Sequence, residues 1–292
     1  MTAIMNTEYL SFNLPETFVD EYKTKPIDWG FDIGGGNSLS ELTYITKYSM
    51  KKEDGTKERW HETCARVING MFSILKDHAK MNGTHWNGAK AMSSAKEAYD
   101  LMFRFRWTPP GRGLENMGKY VVNGERNAAM LYNCSVVSFE KISVSSVNAA
   151  IRPFVLLMEQ SLNGIGVGYT TINHGRIVLH EPDAAEPVDW VVQDTRESWA
   201  ESLGVLLESY FFPNRSKVNF VYDLIRPSGS PLGRSGGQAS GPEPLRRMHI
   251  KISELLSARV GEELRDLDIM DICNLAAKAV VAGGKRRSAL LS

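Results

Sequence analysis

Between residues 39 and 106 apolar side chains recur every three to four positions, the period of helices that bury one face. Trp60, Cys64, Val67, Ile68, Met71, Phe72 and Leu75 line one such face, and Ser93-Ser94 ahead of Ala95-Lys96-Glu97-Ala98 offers a helix start. Thr108-Pro109-Pro110-Gly111 ends this pattern. Beyond it the period changes. Residues 131–139 form a short apolar run with β-branched members, which suits a buried strand, and 144–160 read as helix. Gly164-Ile165-Gly166-Val167-Gly168 reads as a glycine-punctuated strand. Strand, helix, strand in this order argues for a parallel α/β arrangement.

A more polar stretch, about 174–224, encloses one amphipathic helix at 195–212, with Trp199, Leu203, Leu206, Leu207 and Tyr210 on one face. Residues 226–244 are dense in Gly, Pro and Ser, and long ordered loops of this kind are often functional. Helical patterns at 245–259 and 269–281 lead to Gly283-Gly284-Lys285-Arg286-Arg287-Ser288. Ala289-Leu290-Leu291 then begins what reads as a new buried strand, and a chain that stops there reads as split or truncated. The expected organisation is an irregular arm over 1–40, a helical region over 41–107 and an α/β region over 108–292.

Composition narrows the function classes. Lys plus Arg and Asp plus Glu both total 34, so there is no basic surplus of the kind that marks a nucleic-acid partner. Three scattered cysteines make neither a disulfide scaffold nor a zinc site, so no metal is expected. The first fourteen residues lack the pattern of a signal peptide and no apolar run spans a membrane. The expected location is the cytoplasm.

Candidate chemistry is sparse and open to two readings at each point. Cys134, in Tyr132-Asn133-Cys134-Ser135-Val136, reads locally as inert core, although its neighbours are polar. The alternate glycines 164, 166 and 168 leave one strand face bare, for close approach of protein or of a flat ligand. Their spacing is not that of a dinucleotide fingerprint. The 283–288 turn suits phosphate or base contacts, or is a solvated basic loop. Asp194 or Thr195 caps the 195–212 helix, but Arg196 in its first turn opposes the helix dipole unless an anion lies nearby. The six histidines show no ligand or triad spacing.

Four strings in order carry a resemblance. They are Val191-Val192-Gln193-Asp194-Thr195-Arg196-Glu197-Ser198-Trp199, Ile225-Arg226-Pro227-Ser228-Gly229-Ser230-Pro231-Leu232, Gly236-Gly237-Gln238-Ala239-Ser240-Gly241-Pro242 and Val280-Val281-Ala282-Gly283-Gly284-Lys285-Arg286-Arg287-Ser288-Ala289. Together they resemble the ribonucleotide reductase family. The insertion ahead of Ile225 is most similar to the monomeric adenosylcobalamin-dependent kind. The resemblance implies an N-terminal helical region followed by the first half of a ten-stranded α/β barrel, with a helical insertion.

It further implies a reaction in which a cysteine thiyl radical takes the 3′-hydrogen of a ribonucleotide, the 2′-hydroxyl leaves as water and a cysteine pair supplies electrons. By that resemblance Cys134 is one of the reducing pair, Asn133 and Ser135 line the ribose, and Gly164, Gly166 and Gly168 let the nucleotide lie close. Thr108 and Arg112 are assigned to substrate phosphates. A deoxynucleoside triphosphate effector falls to Asp194, Thr195, Arg196 and Trp199 together with Gly283, Gly284, Lys285, Arg286, Arg287 and Ser288. The implied partners are a thioredoxin-like reductant and a complementary C-terminal reductase fragment, which would hold most of the adenosylcobalamin site. The family's radical cysteine sits in an Asn-x-Cys-x-Glu string, and this chain has none. Also, Glu115 and Asn116 stand where the family is more apolar or aromatic. The chain is therefore expected to be inactive alone; the alternative is a stand-alone deoxynucleotide-binding module.

Overall fold

The computed structural model describes residues 12–30, 38–52, 54–118, 121–122, 128–232, 237–280 and 289–292, and separates into two compact units, 1–132 and 133–292. The first is helical: α1 (Glu16–Asp20), α2 (Leu39–Lys47), α3 (Trp60–Met81), α4 (Gly88–Phe103) and α5 (Gly111–Asn116). Its core gathers Trp60, Cys64, Val67 and Ile68 of α3 with Tyr99, Met102 and Phe103 of α4. Leu75, expected on the same face, is 51% exposed, because the stripe drifts outward toward the end of this long helix. Where it is described, over 12–30, the arm is less irregular than its composition suggests. Phe12 and Leu14 donate backbone N–H groups to Ser73 Oγ and Asn69 Oδ1 on α3, both at 2.9 Å, and bury their side chains in this core.

The Ser93-Ser94 start does not hold. α4 begins at Gly88 rather than Ala95, where Asn87 Oδ1 accepts the Lys90 N–H at 3.0 Å and so satisfies a donor of the first turn. The proline break leads into α5, whose last carbonyls are held by Arg66 of α3. Its guanidinium donates to Met117 O at 2.7 Å and Leu114 O at 2.8 Å while paired with Glu58 at 2.8 Å. Two glycines make the close approach possible: a Cβ on Gly70 would meet Gly118 N at 2.9 Å, and one on Gly113 would meet Pro109 Cβ at 2.8 Å.

The second unit is α/β. A 3-10 turn, Ala128–Leu131, precedes β1 (Cys134–Ser138) in the chain; then come α6 (Val147–Leu162) and β2 (Gly166–Thr170), and β1 pairs with β2 in parallel. β7 (Leu290–Leu291) joins the other edge of β2, also parallel, so the strand expected near the last residues forms. Val137, Val167 and Tyr169 face α6 and are buried.

Between β2 and β7 lie elements that the pattern only partly announces. β3 (Asp183–Val191) and β4 (Ser216–Val221) make a separate two-stranded parallel sheet around α7 (Arg196–Phe211). Exposed β3 alternates too little to be read as a strand in advance. α7 is less amphipathic than expected: Ser198, Ala200, Ser202, Gly204 and Ser209 are buried along with its leucines. Its small residues let it pack tightly, and a Cβ on Gly204 would meet Val155 Cγ2 of α6 at 2.8 Å. The 226–244 loop contains a short antiparallel pair, β5 (Pro231–Leu232) with β6 (Gly237–Gln238), and α8 (Glu243–Ser257) and α9 (Asp266–Val280) complete the core. No helix among the described residues is long and apolar enough to cross a membrane.

Candidate active site

Strand alternation sorts the residues around Cys134. Cys134 and Val136 are exposed on the sheet face away from α6, while Ser135 and Val137 turn toward the helix. The cysteine is therefore accessible rather than inert core, and the local reading of a buried strand fails on this face. Cys64 and Cys273 behave oppositely: both are buried, and burial pushes both thiols up. Among the three cysteines only Cys134 can meet a ligand or a second thiol.

Register places Gly166 beside Cys134 and Gly168 beside Val136 on the same bare face. A Cβ on Gly166 would come no nearer than 3.6 Å to Asn133 O, and one on Gly168 no nearer than 3.7 Å to Ser135 O. These are ordinary contacts, so among the described residues no protein segment requires either glycine. Gly164 differs. At φ +76° it ends α6, with its N–H donated to Ser161 O at 2.8 Å and Ile165 N–H donated to Gln160 O at 3.0 Å. That pair is the Schellman arrangement, and it accounts for Gly164 without a ligand.

Ser135 departs from the ribose-lining role. Its hydroxyl is hydrogen-bonded to Gln160 Oε1 of α6, on the sheet face opposite Cys134. Asn133 is exposed just before β1 and accepts the Gly166 N–H at 2.9 Å through its carbonyl. In the first unit Thr108 is exposed and Arg112 half-buried in α5. Asn116, one of the polar departures, is buried and donates to Met130 O at 3.1 Å, a structural task.

At the head of α7, Thr195 is the cap, accepting Ser198 N–H at 3.1 Å. Asp194 instead pairs with Arg226 Nε at 2.5 Å, joining two of the motif strings. Arg196 Nη1 donates to Asn163 Oδ1 at 3.0 Å, at the C-terminal end of α6. The negative end of the α6 dipole thus receives the cation that α7's own dipole disfavours. Burial lowers the Arg196 pKa from its ordinary value. Trp199 is half-buried against the core. Gly283, Gly284, Lys285, Arg286, Arg287 and Ser288 lie outside the described residues.

Sequence reasoning gives no site role to Gln160, Asn163 or Arg226, which bind the named residues from a distance no local pattern reveals. It also passed over a polar knot behind α7. His249 Nε2 lies 2.9 Å from Ser202 Oγ and its Nδ1 2.7 Å from Tyr222 Oη, with the ring stacked 3.9 Å from Phe220. Ser202 donates its one proton to Trp199 O, so it accepts from Nε2–H, and Tyr222 donates to Nδ1. Burial pushes His249 down to about 3, in keeping with a neutral ring. Among the described residues no cluster of His, Cys, Asp or Glu could hold a metal ion.

The chain thus comprises a helical unit and an α/β unit whose parallel sheet has one face bare around an accessible cysteine and a long insertion ahead of its third strand. The crystal structure of a B12-dependent (class II) ribonucleotide reductase superposes with a TM-score of 0.77 at 24% identity, over 96% of this chain and 44% of that one, which establishes the fold. Residues 14–119 match the ribonucleotide reductase alpha domain, and 172–256 match the insertion domain of B12-dependent ribonucleotide reductase. The chain belongs to the ribonucleotide reductase family, within its B12-dependent branch. The adenosylcobalamin-dependent ribonucleoside-triphosphate reductase of Euglena gracilis is 35% identical, with 95% of this chain aligned to 37% of that protein. A Dictyostelium discoideum protein named as a probable enzyme of the same kind is 34% identical, with 95% of this chain on 38% of its length. The chain thus spans under two fifths of these relatives, over their first part.

Proposed function

We propose that this chain is the substrate-side first part of an adenosylcobalamin-dependent ribonucleoside-triphosphate reductase, an oxidoreductase that makes deoxyribonucleotides, and that Cys134 is one of its two reducing thiols. The observation that carries the reading is the bare face of β1 and β2. It pairs the chain's accessible cysteine with Gly166 and Gly168, which no described protein segment needs. A flat nucleotide over those glycines would bring its ribose to the Cys134 thiol. Two thiols then become one disulfide. Their two electrons and two protons go to the substrate as its 2′-hydroxyl leaves as water, and a thioredoxin-like dithiol reduces the disulfide afterwards.

Ser135 and Gly164 support this site rather than touch substrate, since their hydrogen bonds tie them to α6. Asn133, Thr108 and Arg112 remain the substrate-side candidates. Asp194, Thr195, Arg196 and Trp199, with residues 283–288, are assigned to the deoxynucleoside triphosphate effector. By the same family resemblance, adenosylcobalamin binding is assigned mainly to the complementary part of the enzyme, with the Asn-x-Cys-x-Glu cysteine. When bound, the cofactor supplies the radical that this cysteine carries.

The test is reconstitution. The chain, a complementary reductase segment, adenosylcobalamin, a ribonucleoside triphosphate and a thioredoxin-type reductant should together give multiple turnovers, and the chain alone none. Cys134→Ser should abolish thioredoxin-linked turnover. Full turnover by that variant would remove the redox assignment.

A further inference from the structure

Both candidate sites of the second unit are fastened to the last turn of α6. On one side, Gln160 Oε1 accepts a hydrogen bond from the hydroxyl of Ser135, the residue next to Cys134 on β1. On the other, the C-cap Asn163 accepts Arg196 Nη1 on its Oδ1 at 3.0 Å, while its Nδ2 donates to Glu159 O at 2.9 Å. The backbone between the two side chains is pinned as well. Gln160 O accepts the N–H groups of both Asn163, at 3.1 Å, and Ile165, at 3.0 Å. The turn then runs directly into β2, whose Gly166 lies beside Cys134.

Each contact has a physical reason to persist. The Ser135 hydroxyl is partly buried against the helix, and losing its acceptor would leave a desolvated donor. The guanidinium of Arg196 rests at the negative end of the α6 dipole, which favours a cation within the last turn. A displacement at either end therefore reaches the other through two side chains and one rigid turn.

We propose that Gln160 and Asn163 are positioning residues that join the Cys134 strand to the first turn of α7 through the C-terminal turn of α6. A contact that shifts Arg196 is then felt at Cys134. The functional meaning rests on the reductase reading given above; the link itself does not.

The experiment measures the rate at which a small thiol reagent labels Cys134 in the full 292-residue chain. Cys64 and Cys273 are buried and report separately as slow phases. Gln160→Met and Ser135→Ala should each change the Cys134 rate by about threefold or more, and the double variant by no more than either alone. Gln160→Glu, which keeps an acceptor oxygen, should restore the original rate. Asn163→Ala and Arg196→Met should move the rate in the same direction as Gln160→Met. General loosening of the fold predicts neither the rescue nor the non-additivity.

Additive effects of Gln160→Met and Ser135→Ala, or an unchanged rate in Arg196→Met, would overturn the proposal. Thermal melts monitor folding; if Gln160→Met does not fold, Ser135→Ala and Arg196→Met, alone and combined, decide by the same criterion. Reconstitution that fails while the labelling pattern holds removes the reductase reading and leaves the link standing. The opposite result removes only the link.

Discussion

Single residues in this chain divide into those the protein itself explains and those it leaves to a ligand, and the glycines make the division measurable. Gly70→Ala and Gly113→Ala push a methyl group against backbone or proline, and each should cost about 1–3 kcal/mol in denaturant titrations. Gly166→Ala and Gly168→Ala have room for that methyl, and should change stability by less than about 0.5 kcal/mol while blocking nucleotide binding. Equal damage to stability from all four would remove the argument for a ligand on the bare face. His249 gives a second residue-scale test. Its ordinary pKa is 6.5, and burial holds it down to about 3 in the folded protein. Between those values the unfolded chain takes up a proton that the folded chain refuses. This contribution to stability is therefore complete above about pH 6.5 and is lost as pH falls toward 3, with a slope of at most about 1.4 kcal/mol per pH unit. Urea midpoints from pH 7 to 4 should show this slope, and His249→Gln should flatten it.

At the scale of elements, the difference between what the sequence announces and what folds follows from the range of the interactions. α3, α6, α7, α8 and α9 are legible because each carries its own apolar period. β3 is not, since its residues are almost all exposed and only pairing with β4 makes it a strand. The start of α4 was misplaced because serines inside a helix look like caps until the real cap is seen. Asn87→Ala should therefore cost about 1 kcal/mol, while Ser93→Ala, at an exposed interior position, should stabilise slightly. The candidate site follows the same rule. Cys134 and the bare glycine face could be named from resemblance and alternation, but Gln160 behind Ser135 and Asn163 beneath Arg196 are long-range partners without a sequence signature. α5 depends on another element in the same way. Arg66→Met would release its terminal carbonyls and leave Glu58 without its cation in a site where both side chains are 11% exposed, so a loss of about 3 kcal/mol or more is expected in the melt of the helical unit.

At the scale of the whole molecule, the chain divides into a helical unit and an α/β unit whose sheet has one bare face. Reconstitution with a complementary segment tests whether that face is half of a reductase centre, and Cys134→Ser tests which chemistry it contributes. The sheet has one further property, which concerns the order of events in time. β1, α6 and β2 are consecutive, so their contacts close over short stretches of chain. β7 pairs with β2 only after the insertion and two more helices have been laid down. Closing so long a loop is entropically costly and slow, so β7 should be among the last parts of this sheet to form. In pulse-labelling hydrogen exchange, Val167 N–H, which donates to Ala289 O, should gain protection later than Gly166 N–H, which donates to Asn133 O. Two adjacent amides of one strand would then act as separate clocks, one for local assembly and one for the return of the distant chain.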